Sequence, residues 1–426
     1  MSKPKTIILG AGLAGLSAAF HLKKNYQIFE KENKSGGLCR SYKVNGFTFD
    51  YDGHLLHFRK KSTREFVGKL LYSNLSCHRR NSFIRYLGYD VPYPFQANFL
   101  KLPPKVANEC LQGLKEAKNG HCKDYPNFKL WVYAAFGEGI AKHFMLPYNQ
   151  KFWTIPCKDL TCEWLDGFVP VLKFSDVIKR SSNAMKSIGY NANFYYPARG
   201  GIEELPLALE RNIGEKINLN SEVTEMDLRS KEIIINHKQK IRFNHLISSI
   251  PLPELNKLIR KIPAAIKEAI DLLNYNSILV FNIGIKGKIP SDKHWIYFPE
   301  RKIKYFRIGF YNSFSSGLSP DGHSSIYVEC SYSKNSPVNI EKIKEEIAAT
   351  LVREKVISSY TDLVAYSVLN IKYGYPIYDH NYRYAVSTVT NFLSGLGVYS
   401  IGRYGSWKYM TMEDVLLEGQ NIALRI

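Results

Sequence analysis

Three glycines near the start of the chain carry the spacing of a phosphate cradle. Thr6-Ile-Ile-Leu9 is apolar and β-branched, Gly10-Ala-Gly12-Leu13-Ala14-Gly15 follows, and an apolar helical pattern runs on to Leu22. A second short strand pattern, Tyr26-Gln-Ile-Phe29, ends at Glu30. Gly10 permits a tight turn, Gly12 lets the backbone approach a pyrophosphate, and Gly15 allows close packing of helix on strand. The positive end of the helix then faces the phosphate charge. Glu30 is placed to accept hydrogen bonds from a ribose hydroxyl. Strand, glycine turn, helix, strand and acid in that order point to dinucleotide binding, where a glycine triplet alone would be only a turn.

The residues after Glu30 select the dinucleotide. Lys31 is followed by Gly36, Gly37, Leu38, Arg40 and Ser41. Paired glycines can wrap a cofactor, and Arg40 can pair with its phosphates because a guanidinium suits bidentate phosphate contacts. The motif stands at the head of the chain, and this extension suits FAD more than NAD. Near the other end, Gly397–Gly405 reads as a strand ending in glycines and Glu413–Ala423 as a helix. That unit can bring a second helix N-terminus to the flavin. The cofactor-binding set is therefore Gly10, Gly12, Leu13, Ala14, Gly15, Glu30, Lys31, Gly37, Leu38, Arg40 and Ser41, joined by Val223, Ser248, Arg403 and Met412.

The elements that must position these residues fit an α/β chain. Its 426 residues are enough for two or three domains. Apolar residues at 45% and charged residues at 23% predict a packed soluble protein. Residues 1–75, 195–260 and 395–426 read as a discontinuous Rossmann-like FAD domain that includes the strands 217–223, 232–235 and 245–249. Residues 97–190 read as a helical insertion, with helical periodicity from Leu102 to about Ile188. Residues 76–96 and 261–394 read as an antiparallel β-sheet substrate domain, opened by a hairpin over Phe83–Val91.

Composition narrows the partners. The 29 tyrosines suit polar ligands such as sugars and nucleotides, although a biased genome gives the same count. A net charge of +20, from 58 basic and 38 acidic residues, favours anions. The lysines are scattered, and no RNA-binding aromatic motif or basic heptad helix appears, so no nucleic-acid partner is expected. Seven cysteines without paired spacings argue against a disulfide framework, and no Cys-x-x-Cys pair calls for zinc or another metal. No run approaches the ~18 apolar residues of a membrane span. The first strand begins at once, leaving no room for a signal peptide, so a cytoplasmic protein is expected.

Several later blocks resemble the UDP-galactopyranose mutase family, in particular its eukaryotic-type branch. They are Val91-Pro-Tyr93-Pro-Phe95-Gln96, Phe144-Met-Leu-Pro-Tyr148-Asn149-Gln-Lys-Phe-Trp153 and Tyr196-Pro-Ala-Arg-Gly-Gly201, then Trp295-Ile-Tyr297, Phe306-Arg307, Gly374-Tyr375-Pro376 and Gly402-Arg403-Tyr-Gly405-Ser-Trp407-Lys-Tyr409. The resemblance covers nearly the whole chain. It implies a ring contraction of a nucleotide sugar between pyranose and furanose forms, with reduced FAD as the nucleophile at the anomeric carbon. NADPH or NADH would be the reductant, and the family role would be galactofuranose supply for cell-surface polysaccharide. Oligomeric state stays open, a homo-oligomer among the choices.

Residue roles are carried over with the motifs. His54 matches the histidine beside the flavin, Arg307 an arginine on the diphosphate, and Tyr297, Tyr375 and Tyr409 the tyrosines at its oxygens. Tyr93, Phe95, Gln96, Phe144, Tyr148, Asn149 and Trp153 match residues near the base, and Asn193 one near the nucleotide or sugar. Two positions depart from the family. Phe168 stands in the substrate set where a second phosphate-binding arginine is expected, and Asp52 precedes Gly53-His54 where the family has glycine. A lost charge-assisted contact costs about 1.5–3 kcal/mol. An FAD-dependent oxidase or dehydrogenase of the amine oxidase or protoporphyrinogen oxidase type is the alternative activity. A flavoprotein scaffold without catalysis is the third reading.

Overall fold

The computed structural model describes residues 6–426 except 24, 119, 166, 180–188, 190, 215, 290 and 337. Its first layer is a five-stranded parallel sheet in the order Val398–Ser400, His245–Ser248, Thr6–Leu9, Tyr26–Phe29, Ile217–Asn218. Ile7, Ile8 and Leu9 are wholly buried, as befits a central parallel strand covered on both faces. The helix Leu13–Leu22 packs on the helix Met412–Ala423. Gly419 makes this possible, since a Cβ there would lie 2.7 Å from the Ala14 carbonyl oxygen. Ser17 Oγ donates to Leu416 O at 2.6 Å across the same seam.

Of the strands read in this stretch, Ile217–Asn218 and His245–Ser248 join this sheet, and Glu232–Ile235 lies elsewhere. Val223–Asp227, Glu232–Ile235 and Gln239–Arg242 form their own antiparallel sheet. The connections between them are three or four residues long, enough for a hairpin but far short of a parallel crossover.

The second sheet has seven strands, in the order Leu363–Pro376, Tyr275–Lys286, His323–Ser333, Arg307–Phe310, Trp295–Tyr297, Ser82–Tyr86, Tyr89–Pro92. All its pairings are antiparallel except one, where Trp295–Tyr297 runs parallel to Ser82–Tyr86. The alternation of side chains divides the sheet. Leu279, Phe281, Ile308, Ile326 and Val328 pack on one face, under the helix Ile340–Arg353. Arg307, Tyr327 and Glu329 therefore point to the other face.

Helices at Pro104–Glu116, Phe128–Ile140, Leu146–Trp153 and Phe174–Lys179 lie between the two parts of the chain that build this sheet. Gly137 takes φ of 71° inside the second of them, and a Cβ there would meet the Gly113 carbonyl oxygen at 2.0 Å. The two helices thus touch backbone to backbone. The expected helical stretch toward Ile188 lies outside the described residues. Contrary to the cysteine reading, Cys122 and Cys162 form a disulfide. Their separation of 40 residues hides a pair whose Cα atoms the helices bring to 5.8 Å. The other five cysteines are free.

Candidate functional site

The glycine turn is built as its spacing demands. Gly10 has φ of +93°, and Gly15 lies so close to it that a Cβ on Gly15 would sit 2.0 Å from the Gly10 carbonyl oxygen. Gly12 ends the turn without any side-chain cap on the helix Leu13–Leu22, which leaves first-turn amides of Leu13, Ala14 and Gly15 for a ligand. Gly36 and Gly37 close over it, with Gly36 N–H donating to Ala11 O at 2.8 Å. Glu30 is buried and fixed by Ala11 N–H at 2.7 Å and Glu32 N–H at 3.0 Å. Arg40 donates from Nε to Gly37 O at 2.8 Å and lies 4.6 Å from the Tyr51 ring centroid. A bare helix N-terminus framed by glycine backbones, with a buried acid beside it, fits a dinucleotide.

A second cluster lies on the inner face of the seven-stranded sheet and on the C-terminal segment. Arg307 ion-pairs with the fully buried Glu329, its register partner on the next strand. Burial opposes the Arg307 charge, but Glu329 and then Tyr327 outweigh it and hold the guanidinium charged. Arg403 stands 5.2 Å from the Tyr375 ring centroid and 5.9 Å from that of Tyr409, and its guanidinium donates to Met410 O at 2.6 Å. The Tyr375 and Tyr409 rings are 5.4 Å apart. Tyr297 touches Tyr93 and Tyr148, with centroids at 5.3 and 5.5 Å. Burial raises the hydroxyl pKa of Tyr148, Tyr375 and Tyr409, so these phenols stay neutral donors. His54 carries a buried Nδ1 with no hydrogen-bond partner among the described residues. Burial pushes its pKa down to about 4, Asp52 opposing and Arg403 and Arg307 adding to the fall.

A family model for flavin containing amine oxidoreductases matches residues 13–426. The chain belongs to that family. The structure is also similar to reduced UDP-galactopyranose mutase, with a TM-score of 0.93, 28% identity, and coverage of 99% of this chain and 93% of that one. A protein assigned as a protoporphyrinogen oxidase of Exiguobacterium sp. 255-15 matches at a TM-score of 0.77 with 14% identity, over 100% and 99% of the two chains, a likeness of fold. Among curated relatives, a 4,4'-diapolycopene oxygenase of Methylomonas sp is 22% identical over 69% of this chain and 65% of its own length. A 1-hydroxycarotenoid 3,4-desaturase of Flavobacterium sp. (strain P99-3) is 47% identical over 49 residues, 11% of this chain and 10% of the relative.

Membership of the flavin containing family supports FAD as the cofactor, and the glycine cradle has the chemistry to hold it. Other residues of the expected cofactor set are scattered around it. Met412 opens the helix Met412–Ala423 and touches Cys39 through sulfur at 3.6 Å. Ser248 is buried at the end of its parallel strand, and Leu38 is half-buried beside Gly37. Lys31 is exposed and 3.9 Å from Glu32. Val223 starts the separate antiparallel sheet. Ser41 has its hydroxyl engaged, donating to Asp50 Oδ1 at 2.6 Å and accepting from Glu203 N–H.

The substrate set expected from the resemblance forms an aromatic wall. Phe95, Phe144 and Tyr148 stack in sequence at 4.9 and 5.3 Å, and Trp153 packs on Tyr375 and Tyr409. Phe168 meets Tyr409 edge to face at 4.8 Å and lines a cavity of about 370 Å³ with Tyr409, Lys408 and Arg59. Two polar members turn their side chains to the backbone, and a third makes its contact through its own backbone carbonyl. Gln96 donates to Pro170 O at 2.7 Å, Asn149 to Met145 O at 2.8 Å, and the exposed Asn193 offers its carbonyl to His57 at 3.4 Å. Sequence reasoning missed Glu329. The signal was an acid inside the apolar alternation Ile326-Tyr-Val-Glu329-Cys. No helix among the described residues is long and apolar enough to cross a membrane.

Proposed function

We propose that this chain is an FAD-dependent nucleotide-sugar mutase that interconverts pyranose and furanose rings, with UDP-galactose as the first substrate to test. The observation that carries the reading is the convergence of Arg307 and Arg403 with Tyr297, Tyr375 and Tyr409, on a fold that matches reduced UDP-galactopyranose mutase at a TM-score of 0.93. Reduced FAD, when bound, supplies an electron-rich ring nitrogen for attack at the anomeric carbon. Gly12, Gly37, Arg40 and Glu30 would hold that cofactor.

The chain's own residues then do three things. Arg307 neutralises the diphosphate, and the neutral phenols of Tyr297, Tyr375 and Tyr409 donate to its oxygens. Phenols bind phosphate without the full Coulomb grip of a further cation, so the leaving diphosphate can return. The wall of Phe95, Phe144, Tyr148 and Trp153 offers aromatic faces to a base and excludes water. His54, neutral above about pH 4, offers an uncharged ring nitrogen beside the cofactor.

Incubation of dithionite-reduced protein with UDP-galactopyranose tests the reading. The furanose isomer should appear on chromatography while reductant is not consumed per turnover. The rival reading is an oxidase, favoured by the oxygenase and desaturase among the curated relatives. Peroxide release with an amine or porphyrinogen, and no sugar isomer, would establish that rival instead.

A further inference from the structure

We propose that Lys151 is a positioning residue, a clasp that closes the turn between Tyr297 and Arg307 and fastens it to the helix carrying Tyr148 and Trp153. Its effect on nucleotide-sugar binding rests on the diphosphate roles given above to Tyr297 and Arg307, but the clasp itself does not.

Trp295–Tyr297 and Arg307–Phe310 are the two arms of one hairpin, with Tyr297 and Arg307 as register partners at its last rung. The turn beyond them runs from Phe298 to Phe306, and Phe298 N–H donates to Phe306 O at 2.9 Å. Three carbonyls of this turn converge on one atom. Lys151 Nζ donates to Phe298 O at 2.6 Å, to Glu300 O at 2.7 Å and to Tyr305 O at 3.3 Å. An ammonium has three donors and no acceptor, so it answers the three oxygens one for one. Carbonyl oxygens turned on a single point repel one another, and a cation at that point makes the same arrangement attractive. The one acid in the turn, Glu300, directs its carboxylate to Lys302 at 3.0 Å, so backbone oxygens do the holding.

The seat takes water from the charge. Burial pushes the Lys151 pKa down to about 7, with Cys330 and then Glu300 opposing the fall. A cation removed from water is costly unless its donors are met, and here all three are.

The other end of the clasp is the helix Leu146–Trp153, which presents Tyr148 and Trp153 to the aromatic wall. The Tyr148 ring lies 5.5 Å from that of Tyr297, and Phe152 packs on Phe306 at 5.2 Å and on Tyr375 at 4.7 Å. Ring contacts of this kind tolerate sliding. The hydrogen bonds of Lys151 are directional and fix the turn on the helix. A ligand with its base on the wall and its diphosphate on the hairpin therefore spans the joint that Lys151 sets. Lys151 acts on that ligand through Tyr297 and Arg307.

Lys151→Met keeps the stem's length and packing and removes the three donors. Hydrogen–deuterium exchange of the FAD-loaded protein at pH 6, where the ammonium is intact, tests the clasp without ligand. Amides of residues 298–306 should exchange at least about tenfold faster in Lys151→Met, while those of the glycine cradle keep their wild-type rates. Equal rates in the turn, or faster exchange throughout the chain, overturn the proposal. Calorimetry with UDP-galactose at the same pH reads the consequence. Tyr297→Phe should weaken binding about tenfold in wild type but less than about threefold in Lys151→Met, whereas Tyr409→Phe, on a separate segment, weakens both alike. A lysine that only stabilised the fold would leave both tyrosine effects unchanged, and that additivity also overturns the proposal. If Lys151→Met does not fold, Lys151→Gln, which keeps two donors, is read in the same measurements. If UDP-galactose does not bind the wild type, the mutase reading fails and the exchange rates still decide the clasp.

Discussion

The Arg403 guanidinium carbon lies 5.2 Å from the Tyr375 ring centroid, and the Tyr409 ring stands 5.4 Å from that of Tyr375. One cation thus orders two phenols from different parts of the chain, one at the end of a long strand and one beyond the Gly402–Gly405 turn. A cation over an aromatic face is favourable by about 0.5–2 kcal/mol when desolvated. The rings are therefore fixed by Arg403, and their hydroxyls are left to bind.

That separation of ring from hydroxyl makes a clean prediction. Tyr375→Phe and Tyr409→Phe keep the ring on Arg403 and lose only the donor. A hydrogen bond to a charged group contributes about 1.5–3 kcal/mol, so UDP-galactose affinity should fall at least about tenfold in each variant with little change in melting temperature. Calorimetric titration beside a thermal scan checks this. Unchanged affinity in both variants would remove the phenols from the diphosphate site.

The cradle yields a prediction that separates folding from cofactor binding. An alanine methyl at position 12 would meet only the Gly37 Cα, at 3.8 Å, an ordinary contact. Gly12 also has φ of −72°, which alanine adopts freely. Gly12→Ala should therefore fold with a near-normal circular dichroism spectrum yet purify with little or no flavin, because the methyl stands where a pyrophosphate must approach. Full flavin content in that variant would move the pyrophosphate elsewhere.

The two sites differ in how readable they were from the sequence. The cradle was legible because its chemistry is local, with Gly10, Gly12, Gly15 and Glu30 within about one βαβ unit. The helix Met412–Ala423 was legible as an element, read from the sequence as Glu413–Ala423. The pairing of Arg307 with Glu329 was not, because it depends on register between strands separated by a loop and two short helical turns. The sheet that Glu232–Ile235 joins was hidden for a related reason. Strand patterns announce strands, and only the short connections told which sheet they would join. The Cys122–Cys162 bond was equally invisible, its partners being brought together by helices rather than by spacing.

Phe168 is the departure with the sharpest consequence for substrate. Its ring meets the edge or face of Tyr409 at 4.8 Å, within the cavity that also holds Lys408 and Arg59. Arg59 is already engaged by Asp414 and Glu413, so its charge is largely answered. Phe168→Arg should tighten UDP-galactose binding by about tenfold and steepen its dependence on salt. No change would mean that a cation elsewhere already meets the second phosphate.

Asp50 gives a prediction about stability that needs no ligand. It is wholly buried under Ser41 and Tyr196 hydroxyls, each donating at 2.6 Å, and the Ile202 N–H at 3.1 Å. Burial still wins over these three donors and raises its pKa from 3.8 to about 6, with Glu203 adding to the rise. Between those values the folded chain keeps a proton that the unfolded chain has released. The stabilisation from this group is therefore full below 3.8 and is lost as pH rises to about 6, on the order of 3 kcal/mol in all. Asparagine cannot titrate, so Asp50→Asn should lack this part of the profile. Urea unfolding of both chains at steps from pH 4 to pH 7 reads the difference. The gap between wild type and Asp50→Asn should shift steadily in favour of the variant up to about pH 6 and then stay constant. A gap independent of pH would show that Asp50 titrates alike in the folded and unfolded chain.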